Sequence, residues 1–309
     1  MIKKTLYFGH PANLSLRNGQ LLVRFPEIDK GQVVECIKNK AFVSQPIEDI
    51  GIIVLDHRQI TLTSGLLSAL MANNCAVVSC NEKGMPTGLF MPLDGNTVQS
   101  ERFRVQINAS IPLKKQLWQQ TVKMKIANQA SLLERFTKGE TGCMRVWSEK
   151  VKSDDVDNLE ARAAVYYWKT LFGHIPNFTR SREGMPPNNL LNYGYAILRS
   201  VVARALVSSG LLLTLGIHHK NRYNAYCLAD DVMEPYRPMV DELVIKIMAK
   251  YGDISSLTPT LKAELLVIPT LDVTIEGKHS PLMVGVSQTT ASLYKCFSGE
   301  CRKISYPQL

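Results

Sequence analysis

No stretch of this 309-residue chain approaches the roughly 18 uninterrupted apolar residues of a membrane-spanning helix. Its opening, Met1-Ile2-Lys3-Lys4 leading into Thr5-Leu6-Tyr7-Phe8-Gly9-His10, is too short in apolar length for a secretory signal and reads as an ordinary first strand. A folded cytoplasmic protein without membrane attachment is the expectation. The seven cysteines, at 36, 75, 80, 143, 227, 296 and 301, form no Cys-x-x-Cys unit. Cys296 and Cys301 lie near each other, but no second pair completes a structural zinc site, so packed, reduced thiols are expected. The chain also lacks a Gly-x-x-x-x-Gly-Lys-Ser/Thr loop, a Gly-x-Ser-x-Gly elbow and a Gly-x-Gly-x-x-Gly turn after a strand. Nucleotide-driven, serine-hydrolase and dinucleotide-dependent mechanisms lose their usual carriers. Internal repeats and low-complexity tracts are absent as well.

What is present is a 45% hydrophobic chain, ample for one or two packed cores, with a formal charge of +9. Residues 1–100 hold nine Lys/Arg against eight Asp/Glu, so +8 of that charge belongs to residues 101–309. A polyanion-facing surface is therefore expected on the later two thirds.

The front of the chain reads as short strands at 4–8, 14–16, 21–25, 41–43, 51–55, 76–79 and 88–91, with a helix through 64–71. Asn18-Gly19 between two of them signals a hairpin. Pro92-Leu93-Asp94-Gly95-Asn96 is a turn-rich break, and no proline occurs between Pro112 and Pro176, where helix formers dominate. Trp118, Val122 and Ile126 recur every four residues, as on an amphipathic helix whose Lys114, Lys115, Lys123 and Lys125 are expected to face solvent. Further helices are predicted at 159–172, 190–208 and 239–251, with a basic loop at 180–188. Beyond Gly252, two apolar patches, 265–268 and 282–286, suggest a mixture of helix and extended pieces. The fold class is α+β: a β-rich domain with one helix over 1–98, then a larger, mainly α-helical domain over 99–309.

Three separated stretches offer ligands for a hard or borderline cation: Asn158-Leu159-Glu160-Ala161-Arg162, Gly216-Ile217-His218-His219, and Asp230-Asp231-Val232-Met233-Glu234-Pro235-Tyr236-Arg237-Pro238. Each has an ordinary reading too. Glu160 by itself fits an exposed helical carboxylate. Two adjacent histidines cannot share one face of a helix or strand, so only one of His218 and His219 is expected to point at a site. Asp230 or Asp231 fits a helix N-cap, with Pro235 in the first turn. Capping leaves Glu234 unexplained.

Taken together, and with Asn188-Asn189-Leu190-Leu191-Asn192-Tyr193-Gly194-Tyr195 between the first two, these stretches resemble the CRISPR-associated integrase and endonuclease of spacer acquisition, the Cas-one family. The resemblance covers nearly the whole chain. Thr260-Leu261-Lys262-Ala263-Glu264 and Lys278-His279-Ser280 look most like its type II branch.

The resemblance implies that the front is a β-sandwich-like domain and the remainder a mainly α-helical catalytic domain, with Glu160, His219 and Glu234 as catalytic metal ligands for Mg²⁺ or Mn²⁺. Asp231 is a further acidic position ranked below them, and His218 is the alternative if the turn is read one residue off. It also implies a homodimer, a small Cas-two subunit, and double-stranded DNA as spacer precursor and CRISPR repeat, with the type II effector nuclease and accessory proteins as further partners. The implied role is antiviral defence: short DNA is inserted into a CRISPR array when a 3′-hydroxyl attacks a phosphodiester. Arg180, Arg182, Lys220, Arg222 and Arg237 are the basic residues nearest the motifs and are expected to contact DNA phosphates. Two other readings remain open, a metal-dependent nuclease of branched DNA that joins no strands and a non-catalytic DNA-binding scaffold.

Overall fold

The computed structural model of the chain describes residues 3–26, 42–137 and 139–309. Cys36 and Ala41, the latter opening the strand expected at 41–43, lie outside the described residues. Two compact units divide the chain, Met1–Gly95 and Asn96–Leu309, where the sequence reading put the junction at 98/99.

Among the described residues of the first unit, short apolar-rich strands build two four-stranded sheets. One contains β1 (Lys4–Phe8), β5 (Ile50–Leu55), β7 (Ala76–Cys80) and β8 (Pro86–Phe90), in that spatial order; the other runs β4 (Phe42–Pro46), β3 (Gln20–Arg24), β2 (Ala12–Arg17), β6 (Ile60–Leu62). Asn18 and Gly19 both take positive φ, 50° and 72°, the conformation a two-residue hairpin needs, and Arg17 pairs with Gln20 across the turn. Three pairings are parallel, β1 with β5, β5 with β7 and β2 with β6. A parallel neighbour requires a crossover, and α1 (Ser64–Ala72) lies within the connection from β5 to β7. Leu14, Leu21, Ile50, Ile53, Leu66, Leu70 and Val77, drawn from both sheets and the helix, form one core. Full burial of each such side chain contributes about 1.5–3 kcal/mol.

The second unit is mainly helical: α2 (Gln99–Ile107), α3 (Ile111–Phe136), α4 (Gly142–Lys150), α5 (Leu159–Leu171), α6 (Asn188–Ser208), α7 (Cys227–Met233), α8 (Arg237–Lys250), α9 (Pro259–Leu265) and, after the hairpin β9 (Asp272–Ile275) and β10 (Lys278–Pro281), α10 (Leu282–Ser298). The fold is thus the expected strand-rich front and helical remainder. Among the described residues no helix is long and apolar enough to cross a membrane.

Helix α3 carries the architecture. Ser110 caps it by accepting from Leu113 N at 3.3 Å, Pro112 sits in its first turn, and Trp118, Val122, Ile126 and Leu133 are buried along one stripe. In α5 the stripe is Leu159, Ala163, Tyr167 and Leu171 at strict four-residue spacing. Gly194 of α6 permits close packing on α8, since a Cβ there would meet Val240 Cγ1 at 2.6 Å. Pro235 lacks the N–H an uninterrupted helix would use, and a 3₁₀ turn, Glu234–Tyr236, separates α7 from α8. Asn128 of α3 secures that turn by donating to Pro235 O at 2.8 Å.

Candidate active site

Helix α5 begins at a buried carboxylate. Asp155 accepts from the backbone N–H groups of Leu159 and Glu160 at 3.0 and 2.9 Å, filling the N-cap role three residues ahead of Asn158, which lies in the left-handed region at φ 52°. Glu160 is therefore fixed in the first turn, with its side chain only a quarter exposed.

The histidine turn is folded around Asp231. One carboxylate oxygen accepts from Ile217 N at 2.6 Å and His218 N at 3.0 Å; the other accepts from His219 N at 3.3 Å and lies 2.5 Å from His219 Nδ1. Gly216 is required there, because a Cβ would meet His219 O at 2.4 Å and Asp231 Oδ2 at 2.7 Å. The hydrogen bond to Asp231 raises the His219 pKa; burial opposes this, and the charges of Asp231, Glu234 and Glu160 reinforce it. With Nδ1 engaged by a carboxylate, Nε2 is the nitrogen left to ligate, the arrangement that orients many metal-binding imidazoles.

His218 faces elsewhere. It stacks on Trp118 with ring centroids 4.3 Å apart and planes 6° from parallel, and its Nδ1 lies 3.6 Å from Asp154. The adjacent His219 ring meets Trp118 edge-on at 5.7 Å. The doublet thus divides its work, one ring packing and the other turned toward Asp231.

Glu234 is buried in the 3₁₀ turn. Its Oε1 accepts from Arg237 Nε at 2.9 Å, and its Oε2 lies 2.6 Å from Lys125 Nζ as an ion pair. The same ammonium donates to Glu160 Oε1 at 2.6 Å. Burial alone would raise the Glu234 pKa, yet Arg237 and Lys125 hold it down to about 2. Burial likewise works against the charged form of Lys125, but Glu234 and Glu160 more than offset it and raise its pKa. One cationic locus therefore joins α3, α5 and the turn before α8.

Two readings need correction. Asp230 and Asp231 lie inside α7 and do not cap it, since that helix starts at Cys227. Asp230 instead accepts from Arg199 Nε and Asn224 Nδ2, each at 2.7 Å. Lys125 is not on a solvated face; its side chain is 12% exposed. Its position was legible, because it falls three residues after Val122 and seven after Trp118, beside the buried stripe. Among the described residues no group of three His, Cys, Asp or Glu side chains is gathered tightly enough to form a ready metal cage, and Lys125 Nζ lies 2.6 Å from both Glu160 Oε1 and Glu234 Oε2.

The basic residues separate into two groups. Arg180 donates to Ser181 O and Asn188 Oδ1 and lies over the Tyr195 ring, and Arg237 is tied to Glu234 and lies over the same ring at 4.5 Å. Arg182, Lys220 and Arg222 are exposed. Asn188 and Asn192 explain the asparagine-rich motif: Asn188 Nδ2 donates to Thr179 O and Met185 O, and Asn192 Nδ2 donates to Arg182 O, so both fix the basic loop against α6.

The donor chemistry suits a divalent cation. Two carboxylates already share a positive charge, and an imidazole oriented through Nδ1 lies close enough for both carboxylates to raise its pKa.

Comparison with known proteins gives the same chemistry a family. The profile described as CRISPR associated protein Cas1 matches residues 27–254. The CRISPR-associated endonuclease Cas1 of Neisseria meningitidis serogroup C (strain 8013) is 34% identical over 298 residues, covering 94% of this chain and 91% of the relative. Among solved structures, a casposase bound to integration product superposes with a TM-score of 0.75 at 19% identity, over 99% of this chain and 93% of that one. A chain of the Cas6-RT-Cas1–Cas2 complex gives 0.74 at 18% identity, over 97% of this chain and 35% of that one. With its strand-rich front, helical remainder and these relatives, this chain belongs to the Cas1 family of CRISPR-associated endonucleases.

Proposed function

We propose that this protein is a metal-dependent DNA endonuclease and integrase of CRISPR adaptation, of the type II branch, which inserts short DNA into a repeat array by transesterification. One observation carries the reading: Glu160 and Glu234, 74 positions apart in sequence, converge on one cation, with His219 oriented beside them. Glu160, His219 and Glu234 would hold Mg²⁺ or Mn²⁺. When bound, the metal supplies charge stabilisation at the transferring phosphate and a lowered pKa for the reacting oxygen.

Each side chain then has a distinct task. Both Asp231 oxygens are committed to the histidine turn, so Asp231 positions His219 and is not itself a ligand. Arg237 compensates Glu234 inside the protein. Lys220 and Arg222 beside His219, and Arg182 on its pinned loop, are the exposed cations suited to DNA phosphates. Their contribution is expected as salt-dependent binding with little sequence preference. Joining one phosphodiester at the expense of another requires no nucleotide.

The chain is proposed to work in the cytoplasm as a homodimer with a small Cas2 subunit, the first unit serving dimerisation and partner contacts and the second carrying DNA. The Cas2 in a neighbour's name and the integration product in the casposase's support this assembly. The type II effector nuclease and accessory proteins are proposed to help select the DNA.

The decisive assay offers labelled DNA with free 3′ ends and a repeat-containing target to the protein and its small partner, with and without Mg²⁺ or Mn²⁺. The proposal expects a longer, covalently joined product that EDTA abolishes. Shortening without joining would favour a nuclease of branched DNA, and activities indifferent to chelation would favour a non-catalytic scaffold.

A further inference from the structure

An ammonium stands where the proposed metal site would place positive charge. Lys125 Nζ is 2.6 Å from both Glu160 Oε1 and Glu234 Oε2. Lys125 and Arg237 balance Glu160 and Glu234 charge for charge. A divalent ion added to that foursome leaves an excess of two positive charges at short range, which a weakly screened site tolerates poorly.

The two cations are held differently. Arg237 is fixed by Glu234 Oε1 at 2.9 Å and by its position over Tyr195. Among the described residues, the hydrogen bond and ion pairs of Lys125 go to the two carboxylates, at the end of a flexible four-carbon stem. The Lys125 side chain is 12% exposed and the Glu160 it pairs with is a quarter exposed, so this ion pair lies at the edge of solvent. A phosphate there would offer it a replacement anion.

Building on the metal-site reading above, we propose that Lys125 is a resident cation competing with the divalent metal for Glu160 and Glu234, so that metal binds weakly until a DNA phosphate accepts the ammonium. By linkage, metal then tightens DNA binding by the same factor that DNA tightens metal binding. Lys125 thereby acts as a safeguard, keeping a nuclease centre poorly loaded when no DNA is seated.

Mn²⁺ titration followed by electron paramagnetic resonance, on the full chain with and without a short DNA duplex, tests this. Wild type is expected to bind Mn²⁺ at least about tenfold more tightly with duplex than without. Lys125→Gln is expected to bind Mn²⁺ about tenfold more tightly than wild type in the absence of DNA, and to lose most of the duplex effect. Lys125→Arg, which keeps the charge, is expected to stay within about twofold of wild type. Equal or weaker Mn²⁺ binding by Lys125→Gln overturns the proposal. So does a wild-type affinity indifferent to duplex, a result that needs no variant to fold. Glu234→Gln separates the two levels of the argument. If it binds Mn²⁺ like wild type, the metal-site reading itself fails; if it loses binding while Lys125→Gln is unchanged, only the role of Lys125 fails.

Discussion

Asp231→Asn probes the physical centre of the histidine turn. The wild-type carboxylate takes hydrogen bonds from three successive backbone N–H groups, at 2.6, 3.0 and 3.3 Å, and from the His219 ring at 2.5 Å. It is fully buried. An asparagine keeps one carbonyl oxygen and turns an NH₂ toward the remaining donors. One or two of the four donors then lose their acceptor, the number depending on whether His219 Nδ1 turns acceptor toward the new NH₂, and at about 1–3 kcal/mol each a loss of about 1–6 kcal/mol is expected.

Urea unfolding in the presence of chelator measures that loss, and NMR titration of the His219 ring measures its cause. His219 has its pKa raised above 6.5 in the folded state, chiefly by Asp231. A raised histidine pKa adds stability that is complete below the unfolded value and disappears as pH rises through the folded one. The penalty of Asp231→Asn is therefore larger near about pH 6 than near about pH 9, and the ring pKa falls in the variant. A change under about 0.5 kcal/mol together with an unmoved His219 pKa would refute the anchoring role.

Other residues make independent predictions. Gly216→Ala forces a Cβ to within 2.4 Å of His219 O, so it should lower stability by about 1–3 kcal/mol in the same unfolding assay and weaken Mn²⁺ binding with it. Asp155→Ala removes the acceptor for Leu159 N and Glu160 N and should cost about 1–2 kcal/mol, read by thermal unfolding. Burial pushes Asp241 up to about 6 from 3.8, against the opposing hydrogen bonds of Tyr195 and Tyr167 and the charges of Arg237 and Arg180. An acid with a raised folded-state pKa loses stability as pH climbs between those two values, so wild-type stability should decline over that window while Asp241→Asn stays flatter, as pH-dependent unfolding would show.

Local rules made much of this molecule legible, and long-range pairing accounts for most of the rest. The Asn18-Gly19 hairpin and the four-residue stripes of α3 and α5 follow from backbone preference and periodicity, and both are readable in one pass. The parallel pairings of β1, β5 and β7 join segments far apart in sequence, which strand propensity does not encode. Helix α10 was hidden in the tail because Thr, Ser, Val and Gly, weak helix formers, occupy much of it; tertiary burial of Val286, Thr289, Leu293 and Phe297 outweighs them.

Within the site, the family resemblance singled out Glu160, His219 and Glu234, whereas the partners that organise them came from elsewhere in the chain. Lys125 looked like one of several surface lysines and lies 35 residues from Glu160. Asp231 looked like a cap or a ligand, and its actual partners are backbone groups 12 to 14 residues upstream. The role of Asp231 needs the histidine turn folded back onto α7, and the partners of Lys125 need α5 and the 3₁₀ turn brought against α3.

The most direct test of the account compares wild type with His219→Ala in a strand-joining assay containing Mn²⁺, the small partner subunit and a repeat target. The account predicts that the variant folds, binds DNA and joins strands at least about 100-fold more slowly, the usual scale for losing a group that acts on the reaction centre. Undiminished joining by His219→Ala would contradict the central claim that Glu160, His219 and Glu234 form the reactive centre.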